Sequence, residues 1–196
     1  MSSSGVIERD YVLGTHDEEI ARLGLQHNVW RPRVLDCWRN AEITVGSRVL
    51  DVGAGPGYAT IDLAEIVGSS GQVVAVERSA RFLRYAAESC RVRGLRNVQF
   101  QEMDLMLDLI GDGNFDAVWC RWVASFVSSP EKLIFSIAKA LRMGGKAIFH
   151  EYADYRSWRL APRRPIMESF VDEVMKSWRA SGGEPDVALA LPSLIR

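Results

Sequence analysis

The stretch Arg48–Tyr58 reads RVLDVGAGPGY. Val49, Leu50 and Val52 form a short apolar run, with an acid, Asp51, near its end. Glycines follow at Gly53, Gly55 and Gly57, and Ala59–Ala64 (ATIDLA) then opens a helical pattern. A buried strand that stops at a glycine-rich turn and feeds a helix is how α/β sheets build a nucleotide site. Glycine permits backbone angles and close approaches that a Cβ blocks. The spacing is Asp-x-Gly-x-Gly-x-Gly, and Tyr58 stands where the dinucleotide fingerprint needs its third small residue. That departure argues against NAD and for a ligand without a pyrophosphate.

Outward from this turn, strands and helices alternate. Val49–Val52 reads as a strand and Tyr58–Val67 as a helix, followed by a strand at Gln72–Glu77 and a helix at Ser79–Arg93. Further strands are predicted at Asn97–Met103, Phe115–Cys120 and Lys146–Glu151, the last entered through a Gly144-Gly145 turn. Pro130–Arg142 reads as the helix between the final two, with Leu133, Ile137 and Leu141 at helical spacing. Such alternation implies βαβ crossovers and a parallel sheet with helices on both faces. Before it, one helix is predicted from Thr15, with Asp17, Glu18 and Glu19 in its first turn, and a second from Pro32. After it, Arg163–Ser181 reads as an amphipathic helix ending at Gly182-Gly183. The organisation is one doubly wound α/β unit: an N-terminal arm and helical lid over 1–45, a core over 46–160, and a C-terminal helix and tail over 161–196.

Composition narrows the function. A formal net charge of −1 supplies no electrostatic footprint for nucleic acid or an anionic membrane. No apolar run approaches the ~20 residues that span a bilayer. Cys37, Cys90 and Cys120 are scattered without metal-ligand spacing, as are the three histidines. Buried free thiols in a reducing cytoplasm, and no metal site, are the expectation.

In open α/β sheets, ligands bind outside the carboxyl ends of the strands where strand order reverses. Every candidate residue falls at such an end. Asp51 either anchors an ammonium group or caps the following helix. Glu77 ends the second strand roughly 20 residues past the glycine turn, where an acid accepts the hydroxyl protons of a ribose.

LDVGAGPG resembles motif I of the class I S-adenosylmethionine-dependent methyltransferases, and the neighbouring segments agree with that family in order and spacing. The likeness is to its small-molecule, ubiquinone/menaquinone-methylase-like members. It implies a Rossmann-like fold, S-adenosylmethionine as cofactor and S-adenosylhomocysteine as product. It further implies cofactor contacts from Asp51, Gly53, Gly55, Gly57, Glu77, Arg78, Asp104, Leu105 and Arg121. In QEMDLM the family's adenine-binding acid corresponds to Asp104, with Met103 and Leu105 beside the ring and Glu102 and Asp108 as rivals. Cys120-Arg121-Trp122 takes the place of the substrate-facing motif. The Asn/Asp-Pro-Pro-Tyr signature of nucleic-acid amino-methylating enzymes is absent, which favours a small-molecule acceptor.

By the same likeness, Tyr11, His16 and Gln26 border the sulfonium or substrate; the alternative is that these helices simply pack on the sheet. His150, Glu151 and Tyr152 at the end of the fifth strand, with Tyr155 and Trp158, either line the pocket, where aromatic faces suit a cationic sulfonium or amine, or belong to the core. His16, His150 and Glu151 are the candidates for a general base, which is needed only if the acceptor carries a proton. The family's two final strands, which complete the sheet with an antiparallel edge, have no counterpart in Glu184–Arg196. The expectation is therefore a truncated chain, a homo-oligomer or a partner subunit covering the open edge. Two rival functions are carried forward: a cofactor-binding but inactive module, and an NAD-dependent oxidoreductase.

Overall fold

The structure, a computed structural model, describes residues 14–111 and 113–195. Five strands form one sheet: β1 (Arg48–Val52), β2 (Gln72–Glu77), β3 (Val98–Glu102), β4 (Phe115–Arg121) and β5 (Leu141–His150). Their order is β3-β2-β1-β4-β5, and every neighbouring pair is parallel. Helices α2 (Tyr58–Val67) and α3 (Ala80–Val92) make the crossovers on one side of β1, and α4 (Pro130–Ala140) joins β4 to β5. The winding therefore reverses between β1 and β4, which opens a crevice at their carboxyl ends.

Alternation along β1 assigns its side chains to two cores. Val49 packs with Val34, Trp38, Leu63, Val67 and Trp119 beneath α1 (Asp17–Asn40) and α2. Leu50 and Val52 pack on the opposite face with Val118, Cys120, Leu133 and Ile137. Both faces of the central strands are thus covered, which is why β1 and β2 read as near-continuous apolar runs.

Several elements depart from the sequence expectation. The two predicted N-terminal helices are one, α1, which runs through Pro32. Proline removes one N–H and leaves the carbonyl four residues earlier unpaired. That carbonyl belongs to exposed Asn28, where water can satisfy it, while Val34 and Trp38 anchor the continuing helix in the core. The N-cap is His16 rather than Thr15; its Nδ1 accepts the Glu19 N–H at 3.2 Å. Strand β5 starts directly after α4, and Gly144-Gly145 forms a bulge within it, where pairing jumps from Phe115–Leu141 to Ala117–Lys146. An eight-residue helix, α6 (Val187–Leu194), occupies the tail that carried no prediction, and buries Val187 and Leu191. It follows α5 (Pro165–Ala180). Cys37 is exposed, not buried as expected; Cys90 and Cys120 are buried, and all three are free. Among the described residues no further strand pairs with the outer edge of β5, and no helix is long and apolar enough to cross a membrane.

Candidate active site

A cavity of about 470 Å³ opens at the carboxyl ends of β1, β2 and β4, within the usual range of roughly 300–1,000 Å³ for small-molecule sites. Asp51, Gly53, Gly55, Glu77, Arg78, Asp104, Leu105 and Arg121 all line it.

The three glycines of the turn divide their work. All have positive φ: 67° at Gly53, 55° at Gly55 and 83° at Gly57. A Cβ on Gly53 would meet Val123 Cγ2 at 2.3 Å, and one on Gly57 would meet the Ala86 methyl at 2.5 Å. These two let the β4 loop and helix α3 close against the turn, and Gly57 itself does not line the cavity. At Gly55 a Cβ would meet nothing within 4 Å. Its open space faces the cavity.

Glu77, only 7% exposed, braces this turn. Its Oε2 accepts the Gly55 N–H at 3.0 Å and its Oε1 the Ser79 N–H at 2.9 Å. Burial pushes its pKa up, and the Ser79, Gly55 and Arg78 amides, with the Arg78 charge, oppose that rise. Asp51 is 2% exposed and accepts a 2.6 Å hydrogen bond from the Thr60 hydroxyl. Burial raises its pKa to about 6 against the pull of Thr60 and Arg121. Across the crevice, Asp104 Oδ1 accepts the Met106 N–H at 2.9 Å. Of the three acids in that stretch only Asp104 lines the cavity; Glu102 is exposed, and Asp108 accepts the Asp104 N–H. Met103, Leu105 and Met106 supply an apolar wall beside it.

Helix α1 roofs one side. The Tyr58 hydroxyl donates to the Ile20 carbonyl at 3.1 Å, and its ring lies where a Cβ on Gly24 would fall. Tyr58, the residue out of place for a dinucleotide fingerprint, therefore seats α1 on α2. Leu23 and Tyr58 face the cavity from that side, and Trp122, Phe126 and Val127 from the other. Trp122 adopts φ 54°, a conformation uncommon for a bulky residue and one that clusters at functional sites.

The candidates for a general base lie elsewhere. His16 caps α1 and does not line the cavity. His150 packs among Trp30, Trp119 and Trp122; burial, then the Arg121 charge, lower its pKa to about 4. Glu151 sits behind the cavity wall, where its Oε1 accepts the N–H groups of Val123 and Ala124 at 2.8 and 2.7 Å. Burial raises its pKa to about 7, with these amides and Ser125 opposing the rise. Its Oε2 and the Ser125 hydroxyl are both buried, and neither makes a hydrogen bond of good geometry. Tyr152, Tyr155 and Trp158 form an aromatic series toward Trp178 and Phe170, outside the cavity lining. Gln26 is also outside it, and Tyr11 lies outside the described residues. Sequence reasoning missed Leu23, Phe126, Ser128 and Ser181, which reach the cavity through tertiary packing and carry no motif.

A family model described as a methyltransferase domain matches residues 43–183, well over half of the chain. The chain belongs to the class I S-adenosylmethionine-dependent methyltransferase family. Among curated members, an uncharacterized methyltransferase, YcgJ of Bacillus subtilis, is 25% identical over 136 residues, covering 69% of this chain and 50% of its own. The ubiquinone/menaquinone biosynthesis C-methyltransferase UbiE of Yersinia enterocolitica is 27% identical over 128 residues, 65% of this chain and 50% of its own. The chain thus spans about half the length of these relatives. Among solved structures, coclaurine N-methyltransferase bound to N-methylheliamine and S-adenosylhomocysteine superposes with a TM-score of 0.55 at 26% identity, covering 60% of this chain and 35% of that one.

Proposed function

We propose that this methyltransferase-family chain binds S-adenosylmethionine in the cavity at the β1–β4 switch point and methylates a small-molecule acceptor at O, N or C. The observation that carries the reading is Gly55: its left-handed backbone leaves open space at the cavity while its N–H is held by Glu77. A Cβ would fill that cradle. The remaining lining suits the same ligand. The Glu77 carboxylate, at the end of β2 and on the cavity lining, suits a ribose hydroxyl. Asp104 suits an exocyclic amine, with Met103 and Leu105 against an adenine ring. Asp51 and Arg121 offer opposite charges for an ammonium and a carboxylate.

When bound, the cofactor supplies an activated methyl on a sulfonium centre that transfers by in-line displacement. The chain's own task is alignment and a water-poor site, which contribute several kcal/mol. Gly55 and Glu77 fix the nucleoside end, and Leu23, Tyr58, Trp122 and Phe126 wall the cavity with apolar surface that excludes water. The small-molecule class is supported by the net charge of −1 and by the ligand named with the coclaurine enzyme. Three free thiols fit a reducing, cytoplasmic compartment.

The test is incubation with methyl-labelled S-adenosylmethionine and a panel of hydroxyl, amine and activated-carbon small molecules. Label transfer with stoichiometric release of S-adenosylhomocysteine is the expected result. Cofactor binding without turnover on any acceptor class would favour an inactive binding module instead.

A further inference from the structure

A net charge of −1 is a sum over the whole chain and conceals a local excess. The segment after β5 and through the first turns of α5, Tyr155–Phe170, reads YRSWRLAPRRPIMESF. It carries four arginines, Arg156, Arg159, Arg163 and Arg164, against one acid, Glu168. Interleaved with them are large apolar side chains that the fold leaves in water. Trp158, Leu160 and Phe170 are 46%, 50% and 53% exposed, and Ile166 is 83% exposed. Ile166 and Phe170 lie one turn apart on α5 and share a face, while Val171 and Met175 bury another. Single exposed apolar residues need no explanation, but an apolar patch rimmed by charge marks an interaction site.

The patch is held in place from beneath. The Tyr155 N–H donates to Asp186 Oδ1 at 2.6 Å. Trp158 meets Tyr155 with ring centres 5.8 Å apart, and Phe170 with centres 6.4 Å apart. Tyr155 in turn meets Trp178 at 5.7 Å, and Trp178 stacks at 4.5 Å on Phe126 of the cavity wall. The segment therefore presents a fixed surface, joined ring by ring to the cavity.

Its charge and its apolar groups together select the partner. Glu168 accepts two hydrogen bonds from Arg163, and Asp172 Oδ1 lies 3.4 Å from Arg156 Nε. Arg159 and Arg164 form no ion pair among the described residues. A second copy meeting patch on patch, as a two-fold interface requires, would set arginines against arginines. A nucleic acid offers phosphates, and bases for Trp158 to stack on, but no apolar phase for Leu160 and Ile166. An anionic lipid surface supplies both, with phosphates for the guanidinium heads and acyl chains for the side chains between them.

We propose that Arg156–Phe170 is a docking surface for anionic membranes. Trp158, Leu160, Ile166 and Phe170 enter the headgroup region, and Arg159 and Arg164 pair with lipid phosphates. None of these side chains lines the cavity, so the proposal stands independently of the cofactor reading.

Cosedimentation with vesicles tests it, one set made of phosphatidylcholine alone and the other of equal parts phosphatidylcholine and phosphatidylglycerol. Wild type should bind the anionic set at least tenfold more tightly, and added salt should weaken that binding. Arg159→Glu with Arg164→Glu should lose at least tenfold on the anionic vesicles. The charge-matched control, Arg33→Glu on α1 with Arg91→Glu on α3, should stay within twofold of wild type. Trp158→Ser with Ile166→Ser, which keeps every charge, should also lose at least tenfold. Melting temperatures should stay close to that of wild type, because every substituted side chain is exposed. Wild type that binds neither set, patch variants that bind as wild type does, or a control that loses as much as they do would overturn the proposal. So would a dimer or a single-stranded oligonucleotide that wild type holds in preference to the vesicles and the same substitutions release.

Discussion

The N–H of Gly55 donates to Glu77 Oε2 at 3.0 Å, which joins the turn after β1 to the end of β2. The same carboxylate takes the Ser79 N–H with its other oxygen, so one side chain fixes both the glycine turn and the start of α3. Two segments that the sequence relates only by spacing are thus in direct contact.

That relationship separates the glycines by experiment. Gly55→Val puts a side chain into open space, at a backbone cost of roughly 1–2 kcal/mol for the left-handed conformation. It should fold and bind S-adenosylhomocysteine at least tenfold more weakly. Gly57→Val drives a side chain into Ala86 and should lose stability first, by roughly 1–3 kcal/mol from overpacking plus the backbone strain. Thermal melts beside binding titrations would distinguish them; unchanged affinity in a folded Gly55→Val variant would contradict the cradle.

Glu77→Ala removes the brace and the proposed ribose acceptor together. Binding should weaken by about 1–3 kcal/mol, the scale of a hydrogen bond to a charged group. The melting temperature should also fall, because the Gly55 and Ser79 amides lose their partner. Isothermal titration and a melt on the same sample check both effects.

Much of this site was legible in the sequence because strand ends and glycine turns are local. Asp51, Gly55 and Glu77 each sit at a position set by a short apolar run and its breaker, and the structure brings them to one cavity. The helix through Pro32 was not legible, since proline reads as a boundary and only the burial of Val34 and Trp38 carries α1 past it. Glu151 and His150 were rightly placed at the end of β5, but their distance from the cavity depends on how the loop after β4 folds over them. The pairing of His27 with Asp62 spans 35 residues, and no spacing rule predicts it.

Asp51 gives a pH dependence of binding. Its pKa in the folded protein is about 6, so the carboxyl is largely neutral below that value and charged above it. If the charged form holds an ammonium, affinity for S-adenosylmethionine should rise from pH 5 to pH 7, with at most tenfold per unit below the pKa. Asp51→Asn should bind more weakly at pH 7 and show a flat profile over that range. A wild-type profile equally flat would remove Asp51 from the ammonium contact.

Glu151 gives a pH dependence of stability. Its pKa rises from 4.5 to about 7 on folding, so between these values the folded state holds more protons than the unfolded one. Stability then falls as pH rises through that window, by about 3 kcal/mol in all from linkage. Glu151→Gln can still accept the Val123 and Ala124 amides and carries no charge to bury. Urea unfolding at pH 5 and pH 8 should show the variant to be the more stable protein at pH 8 and less pH-dependent than wild type. An unchanged pH slope would place the titration elsewhere.

The central claim, a cavity built for a nucleoside with an amino-acid tail and no pyrophosphate, is tested most directly by calorimetric titration of the chain with S-adenosylmethionine, S-adenosylhomocysteine and NAD. The account predicts one-to-one binding of the first two and none of NAD. Binding of NAD in preference to both, or of none of the three by a folded chain, would contradict it.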